Sequence, residues 1–246
     1  MVDVPGGTQP VVDDYSVYGS CTYRSPTTSK QYLFVNEKSA RYLQYELTST
    51  SNGTLQTTLV RDFTGGSGGQ VEGCVTDEEN GWLFLGEEPS ALWRYGAEPD
   101  AGDEGLQVAY VGDGTLHADV EGVTLVTGAT PDKGFVIVSI QGVSGYNIYR
   151  RAEPHAYVGT FTIAASADGQ IDGVTTTDGV TAVGVPLGPE FPRGLLVVHD
   201  DSNELPDGST SDESSFKMVS LEDVLGEELL KELDGDSKCK RKRSTK

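Results

Sequence analysis

A pattern that occurs four times limits the fold of this chain more than any other feature. Each copy has a glycine preceded by a polar or acidic residue, a short strand, a turn, a second apolar strand, another turn and then an aromatic strand. The first copy runs Tyr18-Gly19, Tyr32 to Val35 and Tyr42 to Leu47. The second runs Glu72-Gly73, Trp82 to Leu85 after the turn at Asn80-Gly81, and Leu92 to Tyr95. The third has Glu121-Gly122, Phe135 to Ile140 and Tyr146 to Tyr149, and the fourth has Asp178-Gly179, Leu195 to Val198 and Phe216 to Val219. The glycines Gly19, Gly73, Gly122 and Gly179 are spaced by 54, 49 and 57 residues. That interval suits one four-stranded blade per repeat and predicts an all-β chain built as a β-propeller, with a β-sandwich as the competing architecture. The 31 Gly and 11 Tyr against 2 Met fit short strands and tight turns.

The tail departs from the repeat. Ser220 is placed to cap a helix with Asp223 at its third position, and Leu221, Leu225, Leu229 and Leu233 form an apolar stripe up to Gly235. The chain therefore divides into an N-terminal lead (1–16, a remnant of a missing blade), a repeat domain (17–235) and a basic disordered tail (236–246).

In a propeller the innermost strands line one axis, so equivalent repeat positions converge in space. The residues before the four glycines are Tyr18, Glu72, Glu121 and Asp178, three carboxylates and a phenol. A second equivalent position reads Asn36-Glu37-Lys38, Glu87-Glu88, Gln141-Gly142 and His199-Asp200-Asp201. Asp119 and Asp172 precede Glu121 and Asp178, and Asp119 and Glu121 share a strand face. So many carboxylates together disfavour joint ionisation, and a hard cation removes the conflict. Calcium suits such a set, because it takes six to eight oxygen ligands in flexible geometry, whereas zinc calls for His or Cys. His117, His155 and His199 do not cluster in the repeat.

A net charge of −20, from 38 acidic against 18 basic residues, argues against nucleic acid and anionic membranes and favours cations. Cys21, Cys74 and Cys239 have no metal-ligand spacing and cannot all pair, which indicates neither a zinc site nor a disulfide framework. No apolar run is long enough to cross a bilayer, and Met1 to Asp14 lacks the basic and apolar regions of a signal peptide.

The segments VEGCVTDEENGWLFLGEEPSALWRYGAEPD (71–100), HADVEGVTL (117–125), SIQGVSGYNIYRR (139–151), IDGVTTTDGV (171–180) and LGPEFPRGLLVV (187–198) resemble the β-propeller phytases, with similarity from about Val17 to about Val224. The resemblance implies a six-bladed propeller, of which about four blades are present. It also implies a secreted monomer that hydrolyses phytate or calcium-phytate with several calcium ions. The family's metal positions match Tyr18, Glu72, Glu88, Asp119, Glu121, Asp172 and Asp178, with Tyr18, Glu72, Asp119 and Glu121 as the catalytic set. Asp200 and Asn203 match a more structural calcium region, and Lys38 matches a lysine that contacts a substrate phosphate. Ser202 and Ser215 stand where the family tends to carry an acid and an amide. The two blades that precede Val17 in the family, with their basic residues for the scissile phosphate, have no counterpart here.

The implied reaction is in-line attack on phosphorus by a metal-activated water. No RHGxRxP or HCxxGxxR segment is present to suggest a covalent phosphatase. Two rival readings keep the propeller: another calcium-dependent hydrolase such as a lactonase, and a non-catalytic, calcium-stabilised scaffold.

Overall fold

The structure, a computed structural model, describes residues 8–205, 207–211 and 213–234. They form two compact units that divide between Glu121 and Gly122. The expected basic tail at 236–246, Cys239 and the start of the lead lie outside the described residues.

The first unit holds two antiparallel sheets, each with its strands in chain order. One contains β1 (Gly19–Arg24), β2 (Gln31–Asn36), β3 (Arg41–Ser49) and β4 (Leu55–Thr64). The other contains β5 (Val71–Asp77), β6 (Trp82–Glu87), β7 (Ala91–Gly96) and β8 (Leu106–Tyr110). Side chains alternate faces along a strand, and β2 buries both of its faces. Tyr32 and Phe34, with Tyr23, Tyr42 and Phe63, pack on Val71, Leu83, Leu85 and Tyr95 of the second sheet. Val35, with Leu43 and Tyr45 of β3, is covered by Val11, Val12 and Tyr15 of the N-terminal lead. The Tyr15 hydroxyl lies 2.7 Å from the Val35 carbonyl oxygen and 2.9 Å from that of Arg41, which fastens the lead to the sheet. Each such side chain contributes roughly 1.5–3 kcal/mol through burial.

The second unit contains the sheet of β9 (Val120–Thr127, entering from the first unit), β10 (Gly134–Ile140), β11 (Gly145–Arg150) and β12 (Tyr157–Phe161). It also has a three-stranded sheet of β13 (Val180–Val183), β14 (Leu195–Asp200) and β17 (Ser215–Ser220). A small hairpin pairs β15 (Asn203–Glu204) with β16 (Thr210–Ser211). One four-stranded sheet per repeat therefore holds for three copies. The fourth copy has three strands among the described residues, because after β17 the chain turns into helix α1 (Leu221–Leu233) instead of adding an outer strand. Ser220 caps this helix, accepting from the Glu222 N–H. Gly226 departs from helical geometry at φ 66°, which shifts the apolar stripe so that Leu230, not Leu229, joins Leu221, Leu225 and Leu233 in full burial. These leucines close a core with Val126, Phe135, Ile137, Tyr146, Leu196 and Val198.

The repeat glycines have a steric role. A Cβ on Gly19 would stand 1.8 Å from the Glu72 carbonyl oxygen, and one on Gly122 would stand 2.6 Å from the Val180 nitrogen. The first strand of one sheet thus presses directly on the backbone of the next.

One sequence expectation is corrected. Cys21 of β1 and Cys74 of β5 form a disulfide with their Cα atoms 5.8 Å apart. They stand two residues and one residue after their repeat glycines, a mismatch that a β-bulge in β5 removes. Val71 pairs with Glu87 and Cys74 with Leu85, so Glu72 and Gly73 together oppose Gly86.

Candidate metal centre

The first unit gathers a carboxylate group at the starts of β1, β5 and β9. The Tyr18 N–H donates to the Asn36 carbonyl at 2.8 Å, which holds Tyr18 just outside β1 against the end of β2. Glu72 is carried on the bulge of β5, a device that re-aims a side chain. Glu88 follows β6; its N–H donates to the Gln70 carbonyl at 3.1 Å, and its own carbonyl accepts from the Val120 N–H at 2.9 Å. The second of these bonds fixes Asp119 and Glu121, which flank Val120, beside Glu88.

The phenol of Tyr18 hydrogen-bonds to the carboxylates of both Glu72 and Glu88. Burial, and then the negative charges of Glu72 and Glu88, push this hydroxyl well above the ordinary tyrosine range, so it remains a protonated donor. Lys38, exposed in the loop after β2, places Nζ 4.4 Å from the centroid of the Tyr18 ring. Glu72 and Glu121 bring carboxylate oxygens within 4.8 Å of each other. Glu88 and Glu121 are only 6% and 4% exposed. Two full charges 4.8 Å apart, the outer limit for the Glu72 and Glu121 oxygens, repel by about 3.5 kcal/mol at an effective dielectric of ~20.

Glu88 takes a hydrogen bond from the Gln70 side-chain amide on Oε2, while Oε1 is buried with no hydrogen-bond partner. The buried Asn36 donates to the Glu72 carbonyl at 3.4 Å and likewise leaves Oδ1 unpartnered. Unsatisfied buried oxygens next to clustered carboxylates fit a hard, oxygen-seeking cation. The donor set is oxygen only, and none of the three histidines belongs to it: His117 is exposed, His155 is buried beside the Arg150 carbonyl, and His199 stacks edge-on with Phe216.

Glu87, adjacent in sequence to Glu88, does different work. Its carboxylate accepts from the Ser67 and Gly69 N–H groups and, at 2.6 Å, from the Trp93 indole. Burial raises its pKa, but these donors outweigh burial and hold it below the usual range. Glu87 is therefore a structural pin for the loop at 66–69.

Within the second unit a different acidic pair comes together. Lys217 of β17, 8% exposed, reaches Asp172 Oδ1 at 2.5 Å, Asp200 Oδ2 at 2.6 Å and the Gly173 carbonyl at 2.5 Å. The hydrogen bond from Lys217 keeps the Asp172 carboxyl below its ordinary range. Asn203 is occupied by the Glu213 carbonyl and by Ser215, whose hydroxyl donates to Oδ1 at 2.7 Å. Asp178, half-buried, accepts the Gly122 N–H on its backbone carbonyl at 3.3 Å. Sequence reasoning placed Asn36 among the amide-bearing repeat positions but did not find Lys217 or Gln70. A lysine between apolar residues of a predicted strand was the only signal that pointed to Lys217.

Repeated antiparallel sheets whose leading strands bring carboxylates together define a repeat-built β protein with a candidate cation site. The chain belongs to the Phytase family, whose model matches residues 2–245. It is similar to a 3-phytase of Bacillus subtilis (strain 168), with 37% identity over 209 residues, covering 85% of this chain and 53% of that protein. The chain thus spans about half the length of this relative. Among solved structures it is partly similar to the C-terminal WD40 domain of Sif2 (TM-score 0.39, 12% identity, 75% of this chain and 46% of that one). It is also partly similar to a chain of a mitotic checkpoint complex (TM-score 0.44, 14% identity, 81% and 63%).

Proposed function

We propose that this chain forms the metal-binding part of a calcium-dependent phytase, a β-propeller hydrolase that releases phosphate from phytate with a metal-activated water. The observation that carries the reading is the half-buried Glu72 beside the buried Glu121, with the Tyr18 phenol bonded to Glu72 and the buried Glu88 and an oxygen of Glu88 left over. Family membership and the Bacillus 3-phytase supply the substrate. In this reading Tyr18, Glu72, Glu88, Asp119 and Glu121 hold calcium, and the family resemblance adds Asp172, Asp178, Asp200 and Asn203 as ligands. Lys217 already contacts Asp172 and Asp200, so an ion there would have to share their oxygens with an ammonium.

Calcium, when bound, neutralises phosphate charge and acidifies a water. The protein's own groups do the rest. Tyr18, protonated, orients the Glu72 and Glu88 carboxylates through its hydroxyl. Lys38, exposed with its ammonium over the Tyr18 ring, offers that charge to a neighbouring phosphate of a polyphosphorylated substrate. The proposed setting is secreted, and the Cys21–Cys74 disulfide agrees with an oxidising compartment. Among the described residues no helix is long and apolar enough to cross a membrane.

A second reading is a non-catalytic, calcium-stabilised scaffold, in which the carboxylate group binds the ion without hydrolysing phytate. Phosphate release from phytate by the purified chain, measured in calcium and in excess chelator, separates the two. Release that vanishes on chelation supports the phytase. Calcium binding without release supports the scaffold.

A further inference from the structure

The disulfide between Cys21 and Cys74 was unexpected, and its place in the chain is informative. Cys21 lies three residues after Tyr18, and Cys74 lies two residues after Glu72. β1 and β5 belong to different sheets, so no ladder of backbone hydrogen bonds joins them. What joins them beyond the cystines is local: Thr76 donates to the Thr22 carbonyl at 2.7 Å and the Arg24 N–H donates to Glu78 at 3.0 Å. Both of these lie on the side away from the carboxylates. On the near side the Tyr18 phenol hydrogen-bonds to the Glu72 and Glu88 carboxylates, Gly19 packs on the Glu72 carbonyl, and Asn36 makes a long 3.4 Å contact to that carbonyl. Tyr18 sits just outside its strand, tied by its N–H to the Asn36 carbonyl, and Glu72 sits on a bulge where it has no one-to-one partner in the ladder.

We propose that the Cys21–Cys74 disulfide is a positioning device for the cation site. It holds the Tyr18 end of β1 against the Glu72 bulge of β5, so that the oxidised protein presents a preformed site and the reduced protein a splayed, weaker one. This rests on reading the Tyr18–Glu72–Glu88 group as a cation site. Preorganisation raises affinity by removing the ordering cost otherwise met on binding. By linkage, a bound cation must protect the disulfide from reduction by the factor by which oxidation tightens cation binding.

The test uses the full chain and terbium(III), an oxygen-seeking surrogate for calcium whose emission is sensitised by a nearby tyrosine. Wild type should show emission that Tyr18→Phe largely removes. In the Cys21→Ser/Cys74→Ser double variant, terbium affinity should fall by about tenfold or more at a temperature where the protein stays folded. Leu196→Ala, which weakens the second unit's core, should lower the melting temperature and leave terbium affinity unchanged. If the double variant does not fold, wild type decides the matter. A dithiol reductant delivers two electrons and two protons to the cystine, leaving two thiols and a cyclic disulfide of the reductant. The equilibrium constant for reduction should fall by the same factor when terbium is saturating. Tyr18-dependent emission with unchanged affinity in the double variant, or reduction indifferent to terbium, overturns the positioning role while the cation site stands. Absence of Tyr18-dependent emission from wild type overturns the cation site itself.

Discussion

At the scale of single residues, Glu88 and Lys217 show opposite ways of managing buried charge. Glu88 is buried with an unpartnered oxygen among other carboxylates, an oxygen that a bound cation would satisfy. Glu88→Gln should leave the melting temperature in chelator unchanged or raised, and should shrink the stabilisation that calcium gives, corresponding to at least about tenfold weaker binding. Calorimetric scans with and without calcium check both halves. Lys217 instead supplies a fixed positive charge to Asp172 and the fully buried Asp200. Lys217→Met should cost about 3–5 kcal/mol, because it strands a buried carboxylate. It should also change the acid limb of stability. Asp172 has a depressed folded pKa, so the stability it contributes is present above its unfolded value near ~4 and is lost as pH falls through the folded value. The variant loses the largest cause of that depression, the Lys217 hydrogen bond, and denaturant melts at pH 5 and pH 3 should differ less for it than for wild type. Position in the repeat was enough to single out Glu72 and Glu121. It could not separate Glu88 from Glu87, because two adjacent acids after a strand face opposite ways and only the surrounding donors reveal which one is pinned. Nor could it reveal the cystine, since counting cysteines ignores a bulge that changes register by one residue.

At the scale of elements, the repeat glycines give the clearest contrast. Gly19 is packed against backbone that cannot move aside, whereas a Cβ on Gly179 would meet nothing within 4 Å. Gly19→Ala should therefore destabilise the first unit by several kcal/mol or prevent its folding, and Gly179→Ala should stay within about 0.5 kcal/mol of wild type. Urea unfolding of the two variants distinguishes a steric role from mere turn preference, which would make them behave alike. The strands themselves were legible, because aromatic and β-branched runs bounded by turns dictate them. The missing outer strand of the fourth copy was not, although the Ser220 cap and the leucine stripe were. A helix that buries four leucines in the second unit's core replaces the strand, and that choice depends on packing that no local pattern encodes. The stripe drifted for a local reason, the left-handed φ of Gly226, which resets the helical phase between Leu225 and Leu230.

At the scale of the whole chain, a net charge of −20 raises the energy of the folded state through self-repulsion and makes cations the natural counter-partners. The repeat and the acids could be read from sequence, since each copy repeats the same apolar order. The paired oxygen geometry could not, because it depends on how strands far apart in sequence are brought side by side. If the Glu72–Glu121 pair binds calcium only in the folded state, calcium at a hundred times its Kd should add about 2.7 kcal/mol of stability. The most direct measurement is a calorimetric calcium titration of the wild-type chain beside Glu72→Gln/Glu121→Gln. Calcium binding by wild type that the double variant loses or weakens by at least about a hundredfold, with the double variant still folded, is the result predicted. Equal calcium binding by both proteins would contradict the placement of the cation at this group.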